Sequence, residues 1–210
     1  MKNAAQDARY LVNRGYPRES AVRFVSDHYR LAEEQRFVLI RVVISSKTAA
    51  KRKEKMIPLE MLRGSVLFID GYNVFISVES ILAAKPIYLC DDGFIRDTQG
   101  IFRSYKTSVL TNVALDAILN LLDEACPDRV EVLLDQQISM SGELAAMIRK
   151  LMAEHGVLGT ARTVQDADRQ LKECGGIVAT SDGNVIDASS LVVDVPAEIA
   201  RRWGFEHLVI

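Results

Sequence analysis

The sequence has few cysteines and no long hydrophobic run, and each shortage excludes a class of protein. Cys90, Cys126 and Cys174 are odd in number and widely spaced, so the pattern predicts neither a disulfide framework nor a zinc site. The longest apolar stretch, residues 37–44, is interrupted by Arg41 and is too short to cross a bilayer. The first residues lack the apolar core of a signal peptide. We therefore expect a cytoplasmic protein without membrane contact.

The charge of the chain is unevenly distributed. The formal net charge is only −2, yet residues 1–64 carry 14 Lys/Arg and 7 Asp/Glu, whereas residues 65–210 carry 12 and 21. A basic first third beside an acidic remainder fits a nucleic-acid-binding module joined to a cation-binding domain. The alternative is that surface charge simply differs between the two parts.

Residues 1–60 predict a small all-helical module with a linker. Apolar residues recur at helical spacing in three segments, the third over residues 31–44. Pro17 sits where a second helix would begin. Residues 45–60 are polar and read as a linker or a frayed helix. We place a domain boundary near residue 60 and expect residues 61–210 to form an α/β domain.

Four short apolar runs in residues 61–210 each lead into aspartates. They end before Asp70, Asp135, the pair Asp166 and Asp168, and Asp182. Short β-branched runs separated by helical stretches predict the parallel strands of an α/β sheet. Residues just beyond the carboxyl ends of such strands converge on one crevice. Carboxylates brought together there repel each other unless protons or cations neutralise them, which favours an oxygen-preferring divalent ion.

Helix capping is the alternative role for the same aspartates. Asp70 and Asp166 each precede a predicted helix and are candidate N-caps. Asp168 would then only complement a helix dipole, and Asp182 would belong to an Asp-Gly turn. After Asp135, a polar loop opens a helix in which Ser141 is the predicted N-cap and Glu143 a first-turn acid. Free backbone N–H groups at that end are able to receive a phosphate.

Residues 86–106 predict a β-hairpin with an acidic turn. Arg96 and Arg103 accompany its carboxylates, so the hairpin is either a substrate-binding flap or a solvated tip. Asp187 lies close enough to Asp182 in sequence to be a further ligand.

Three segments resemble the motifs of PIN-like nucleases. The sequence Ile-Asp-Gly-Tyr-Asn-Val at residues 69–74 resembles the first motif of the NYN branch, with its Asp-Gly-x-Asn signature. Residues 178–184, Val-Ala-Thr-Ser-Asp-Gly-Asn, are similar to the closing motif of a strand, a Thr or Ser, and an acid. Residues 166–171 resemble the upstream helix that carries another metal-binding aspartate, and Asp168 fits that position.

The resemblance implies a three-layer α/β/α (Rossmann-like) fold with a mainly parallel sheet that cleaves RNA with Mg²⁺ or Mn²⁺. It implies that Asp70, Asp168 and Asp182, with Asp135, hold the ion and that Asn73 and Ser181 orient phosphate or water. Basic and polar residues elsewhere would contact RNA, namely Arg96, Ser141, Lys51, Arg52 and Lys53. Residues 8–16 and 35–41 also resemble a helical domain fused to such a core in an uncharacterised, mainly archaeal family.

Two other functions stay open. An inactive PIN-like core would bind RNA without cleaving it. A phosphatase or nucleotide hydrolase of another α/β family would also use strand-end aspartates, but the sequence lacks a Gly-rich phosphate loop and an Asp-x-Asp pair after the first strand. The sequence is compatible with a homo-oligomer.

Overall fold

The computed structural model describes residues 1–98 and 105–210, and it begins with a bundle of helices. These helices are α1 (Lys2–Asn13), α2 (Arg18–His28), α3 (Glu33–Val42) and α4 (Ser46–Lys55). Small buried residues on one face of α1 pack against α2 in a core of their own. The interpretation of residues 45–60 as a linker or frayed helix needs correction, because α4 is a regular helix. Ser45 caps it by accepting a hydrogen bond from the Thr48 backbone N–H (3.2 Å).

The rest of the described chain alternates strands and helices around a five-stranded sheet. The strands are β1 (Val66–Asp70), β2 (Ile87–Leu89), β3 (Ile95–Asp97), β4 (Arg129–Asp135), β5 (Gly159–Val164), β6 (Ile177–Ala179) and β7 (Leu191–Val193). The helices are α5 (Gly71–Leu82), α6 (Val109–Ala125), α7 (Ser141–Glu154), α8 (Ala167–Glu173), α9 (Gly183–Ala188) and α10 (Val195–Arg202). A 3₁₀ turn, Leu59–Leu62, precedes β1.

The sheet is parallel and buried on both faces. Its strand order is β5-β4-β1-β6-β7, and every pairing is parallel. Leu67 and Ile69 point into a core with α5, α6, α7 and α10, whereas Phe68 packs on the opposite side with α8 and α9. This alternation follows from the two-residue period of a strand. The predicted α/β/α fold with a parallel sheet and a helical N-terminal part is confirmed.

The strands of this sheet are all parallel, but the order in which the chain adds them reverses at the central strand β1. From β1 it runs through β4 to the β5 edge, and then returns to β6 on the other side of β1 before reaching β7. In open α/β sheets, ligands bind at the carboxyl ends of the strands that flank such a reversal. The position between the ends of β1 and β6 is therefore the expected binding crevice.

The helical bundle is attached to the α/β domain through the β2–β3 hairpin. Arg9 binds the Asp91 carboxylate (2.8 Å), and Asp91 also accepts the backbone N–H of Ile44 (3.0 Å). After α4, the backbone N–H of Ile57 donates to Val192 of β7 (2.8 Å). These contacts hold α3 and α4 beside the carboxyl edge of the sheet.

Within residues 1–98 and 105–210, no helix has both the length and the apolar character needed to cross a bilayer. Near the end of the chain, Leu208 forms an isolated parallel β-bridge with Tyr88.

Candidate functional site

Asp70 lies at the reversal point of the sheet and is almost completely buried. It ends β1, and its side chain is in contact with the segment that follows β6. The hydroxyl of Thr180 donates a hydrogen bond to Asp70 Oδ2 (2.8 Å). The same hydroxyl oxygen accepts the backbone N–H of Asp182 (3.0 Å). One threonine therefore links the aspartate after the first strand to the aspartate after β6.

Asn73 and Ser181 form a second link between the same two segments. Asn73 Oδ1 accepts both the backbone N–H of Ser181 (2.8 Å) and its hydroxyl (3.0 Å). Because a backbone N–H can only donate, this contact identifies the oxygen of the Asn73 amide. The Asn73 NH₂ group makes no hydrogen bond to the described residues, and Asn73 lines the crevice. Ser181 is buried behind it.

The glycine of the first motif is required by packing. A Cβ atom at Gly71 would lie 2.5 Å from Leu134 Cδ2 and 2.9 Å from the Leu133 carbonyl oxygen. Any side chain would therefore push the start of α5 away from β4. Gly71 allows Asp70 and Asn73 to sit directly above the neighbouring strand end.

Asp182 is the N-cap of α9. Its Oδ1 accepts the backbone N–H groups of Asn184 (2.8 Å) and Val185 (3.2 Å). Both bonds end on the same oxygen, and Oδ2 accepts none from the part of the chain that the structure describes. Asp182 thus combines a capping role with a carboxylate oxygen at the crevice.

Two further predicted metal ligands, Asp135 and Asp168, come from the segments that end β4 and follow β5. Asp135 ends β4, and its Oδ1 accepts the backbone N–H of Gln137 (2.8 Å). Asp166 is the N-cap of α8, as predicted, and accepts the Arg169 N–H (2.9 Å). Asp168 lies in the first turn of that helix.

All of these strand-end aspartates line one cavity of about 460 Å³. We call this cavity the acidic crevice and define it by Asp70, Asp135, Asp166, Asp168 and Asp182. The structure therefore brings together the four candidate metal ligands named from the sequence.

The electrostatics of the acidic crevice favour the uptake of positive charge. Burial, together with the charges of Asp168 and Asp182, raises the pKa of Asp70 to about 7, against the hydrogen bond from Thr180. Burial also raises the pKa of Asp168, and the charge of Asp182 adds to that shift. Carboxylates that repel each other in this way are stabilised by a proton or by a cation.

The donor set suits a hard divalent cation that retains much of its own hydration. Among the described residues, no three carboxylate, histidine or cysteine side chains are close enough together to enclose an ion. Mg²⁺ typically uses one or two carboxylates together with water and substrate phosphates. The oxygen donors of the acidic crevice fit that mode of binding and do not form an all-protein cage.

A second group of charges lies beside the acidic crevice and is fully paired. We call it the arginine–aspartate network and define it by Arg52, Asp92, Arg96 and Asp187. Asp92 accepts two bonds from Arg96 (both 2.7 Å) and one from Arg52 (2.9 Å). Arg52 also binds Asp187 (2.7 Å), and Arg96 donates to the Ser181 carbonyl (2.7 Å).

The network corrects the interpretation of the hairpin and of Arg52. Asp92 and Arg96 are 0% and 4% exposed, so the described part of the hairpin is neither a solvated tip nor an open flap. Arg103 lies outside the described residues. Arg52 is buried as well, because its guanidinium packs on Gly183, where a Cβ would lie 2.5 Å from Nη2. Asp187 pairs with Arg52 and does not line the acidic crevice.

Three other predicted substrate contacts are not among the residues that line the crevice. Ser141 is not the N-cap of α7, because Met140 occupies that position with a φ of +63°. Ser141 is the first residue of α7 and is buried, whereas Glu143 lies in the first turn as predicted. Lys51 and Lys53 are exposed on α4.

The structure adds residues that the sequence did not single out. Arg41 from α3 lines the acidic crevice, together with Gln137 and Gln165. The available signal for Arg41 was its position as a lone charge within the apolar stretch 37–44. The two glutamines carried no signal beyond their position next to strand-end aspartates.

Comparison with known proteins places the chain in a family. Residues 59–198 match the family described as Domain of unknown function (DUF5616), and residues 1–55 match the one described as Protein of unknown function (DUF434). The chain belongs to the DUF5616 family. An uncharacterised protein of Methanocaldococcus jannaschii is 36% identical over 200 residues, which cover 94% of this chain and 95% of the relative. The aligned region reaches into both matched segments of this chain. No solved structure matches the chain.

Proposed function

We propose that this DUF5616 protein is a PIN-like, metal-dependent ribonuclease that hydrolyses RNA phosphodiester bonds at the acidic crevice. The observation that carries the proposal is the convergence of strand-end aspartates on one cavity, with a pKa of about 7 for Asp70 that the charges of Asp168 and Asp182 help to raise. The motifs that resemble the PIN-like signatures supply Asp70, Asn73, Asp168 and Asp182 of this cavity.

Asp70, Asp168 and Asp182, with Asp135, would hold one or two Mg²⁺ or Mn²⁺ ions. Such ions acidify a water molecule and neutralise charge on the leaving oxygen. The carboxylates of the chain place negative charge where the cation is needed and position it relative to the substrate.

Uncharged and basic side chains of the crevice bind the substrate. The Asn73 NH₂ group is held in place by the two bonds from Ser181 and donates to a phosphate oxygen. Arg41 of α3 supplies a positive charge at the same cavity. The exposed Lys51 and Lys53 attract the RNA backbone from α4, so binding weakens as salt is raised.

The test compares cleavage by the wild type and Asp182→Asn with Mn²⁺, Mg²⁺ and EDTA, on labelled single-stranded and structured RNA. Asparagine caps a helix about as well as aspartate, so the variant keeps α9 and loses only the charge. We expect metal-dependent products from the wild type and a fall of at least ~100-fold in the variant, the scale seen when one charge-stabilising group is removed from an active site.

Asp128→Asn is the matched control for this charge removal. Asp128 is exposed at the amino end of β4, on the opposite edge of the sheet from the acidic crevice. Its cleavage rate should equal that of the wild type. Full turnover by Asp182→Asn, or equal losses in both variants, would contradict the proposed site.

The second candidate is an RNA-binding protein with an inactive core. The observation that favours it is the lack of three closely grouped ligand side chains in the described chain. RNA binding in EDTA without products in either metal would support this candidate. A mononucleotide arm in the same assay tests the hydrolase alternative, which requires release of phosphate from nucleotides but no cleavage of RNA.

A further inference from the structure

A small basic cavity adjoins the acidic crevice. We call it the arginine pocket and define it by Arg18, Arg41, Arg52 and Arg96, which line a volume of about 110 Å³. Arg41 and Asp182 line both cavities, so the two spaces meet at these residues. Arg18, Arg41 and Arg52 come from the helical bundle, and Arg96 comes from the β2–β3 hairpin.

The four arginines of the pocket fall into two pairs. Arg52 and Arg96 are buried and bound to Asp92, so they form the paired wall of the pocket. Arg18 makes no hydrogen bond or ion pair with the described residues. Arg41 has one long bond from Nη2 to the Asp97 carbonyl oxygen (3.4 Å). Its Nε is buried without a hydrogen-bond partner in the described chain.

Unmatched positive charge therefore accumulates at Arg18 and Arg41. Partial burial lowers the pKa of Arg18, and the nearby charges of Arg52 and Arg96 lower it further. A buried donor without a partner costs free energy, which a ligand that accepts the hydrogen bond recovers. Asp182 is the one acidic residue on the described lining of the pocket, and it stands at the crevice side.

We propose that Arg18 and Arg41 bind a phosphate group of the RNA substrate next to the bond that is cleaved in the acidic crevice. This assignment rests on the proposed function and adds a substrate-positioning role for the helical bundle. Arginine forks bind phosphate through paired N–H bonds, and in the described chain the Arg18 guanidinium and Nη1 of Arg41 donate to no other group. The position of Arg41 between the two cavities fits consecutive phosphates of one chain.

The test measures binding of a short labelled RNA to the full-length protein in EDTA, where no cleavage occurs, over a series of salt concentrations. Arg18→Gln and Arg41→Gln should each weaken binding about tenfold and reduce the slope of log K against log[salt] by about 1. Arg18→Lys should lie between the wild type and Arg18→Gln, because lysine keeps the charge but not the fork.

Arg23→Gln is the matched control, because Arg23 is an exposed arginine on the same helix, α2, and lies outside the arginine pocket. Its affinity should stay within twofold of the wild type. Thermal unfolding of each variant confirms that the fold is kept. Equal losses in Arg18→Gln and Arg23→Gln would overturn the assignment.

The outcomes separate this proposal from the proposed function. If the wild type cleaves RNA but Arg18→Gln binds RNA as tightly as Arg23→Gln, the nuclease stands and the phosphate assignment falls. If inorganic phosphate binds in an Arg18-dependent manner but RNA does not bind, the RNA assignment is overturned and the pocket is a site for free phosphate. RNA binding that depends on Arg18, with no cleavage in any metal, would support the phosphate assignment and overturn the proposed nuclease activity.

Discussion

The acidic crevice and the arginine–aspartate network are neighbours that both contain aspartates, but the pKa of a buried aspartate shifts in opposite directions in the two regions. In the network, burial alone would raise the pKa of Asp92, but Arg96 and Arg52 outweigh it and lower that pKa below its ordinary value. The hydrogen bond from Arg52 likewise lowers the pKa of Asp187. In the crevice, the pKa of Asp70 rises to about 7. The aspartates of the network are thus paired with arginines, whereas those of the neighbouring crevice repel each other.

The difference leaves the carboxylates of the acidic crevice, which the proposed function assigns to a cation, without arginine partners among the described residues. Arg52 and Arg96 donate to the carbonyl oxygens of Gly183 and Ser181, on either side of Asp182, but in the described chain neither donates to the Asp182 carboxylate. Both are instead held by Asp92. The network therefore pairs two buried arginines with Asp92 next to the proposed metal site.

The largest expected effect comes from breaking the network at its centre. Asp92→Asn leaves Arg52 and Arg96 buried with a neutral partner, so we expect the free energy of unfolding to fall by about 3–5 kcal/mol. Asp187→Asn is the control, because the Asp187 side chain is 51% exposed and its pair with Arg52 should contribute at most about 1 kcal/mol. Urea denaturation measures both. Similar losses in the two variants would show that burial of Asp92 does not matter.

A smaller effect separates the two regions by pH. In metal-free protein the folded state keeps a proton on Asp70 up to about pH 7, whereas an unfolded aspartate releases it near its reference value of 3.8. The folded state therefore binds more protons between these values, and the free energy of unfolding falls as pH rises. From pH 5 to pH 8 this contribution amounts to about 2.5 kcal/mol.

The measurement is urea denaturation in EDTA at several pH values. Asp70→Asn lacks the titrating group, so its stability should fall less over this range than that of the wild type. Asp128→Asn should retain the wild-type pH dependence. A wild type and Asp70→Asn with parallel pH profiles would show that Asp70 carries no raised pKa.

The smallest effect tests whether only one of the regions takes up a cation. Mn²⁺ at ten times its Kd should raise the free energy of unfolding of the wild type by about 1.4 kcal/mol. This gain should shrink in Asp168→Asn, which removes a crevice carboxylate, and persist in Asp187→Asn, whose carboxylate is already paired. Thermal unfolding with and without Mn²⁺ gives the values. If only Asp187→Asn lost the stabilisation by Mn²⁺, the ion would bind at the arginine–aspartate network and not in the acidic crevice.

The fold was readable from the sequence because its signals are local. Most strands of the parallel sheet are short apolar runs; Asp70 and Asp135 end two of them, and Asp182 comes shortly after a third. Because the carboxyl ends of parallel strands lie at one edge of a sheet, the strand assignment alone predicts that these aspartates lie close together. The role of Asp166 as an N-cap is equally local, since its bond reaches only three residues along the chain.

The paired charges were not readable because their partners are distant in sequence. Arg52 lies in a run of basic residues that resembles a solvated surface, yet it contacts residues 40 and 135 positions away. The acidic turn of the hairpin looks hydrophilic for the same reason. Arg41 is an intermediate case, because a lone charge in an apolar stretch indicates a special role but not its location.

The burial of Arg52 has a consequence for how the two segments of the chain are inherited. This arginine belongs to the segment matched by one family, while Asp92 and Gly183, which receive it, belong to the other. Recombination that replaced the helical segment by an unrelated one would remove one of the two arginine partners of Asp92 and leave an empty space above Gly183. Because the three residues are in contact, substitutions at these positions should occur together among relatives.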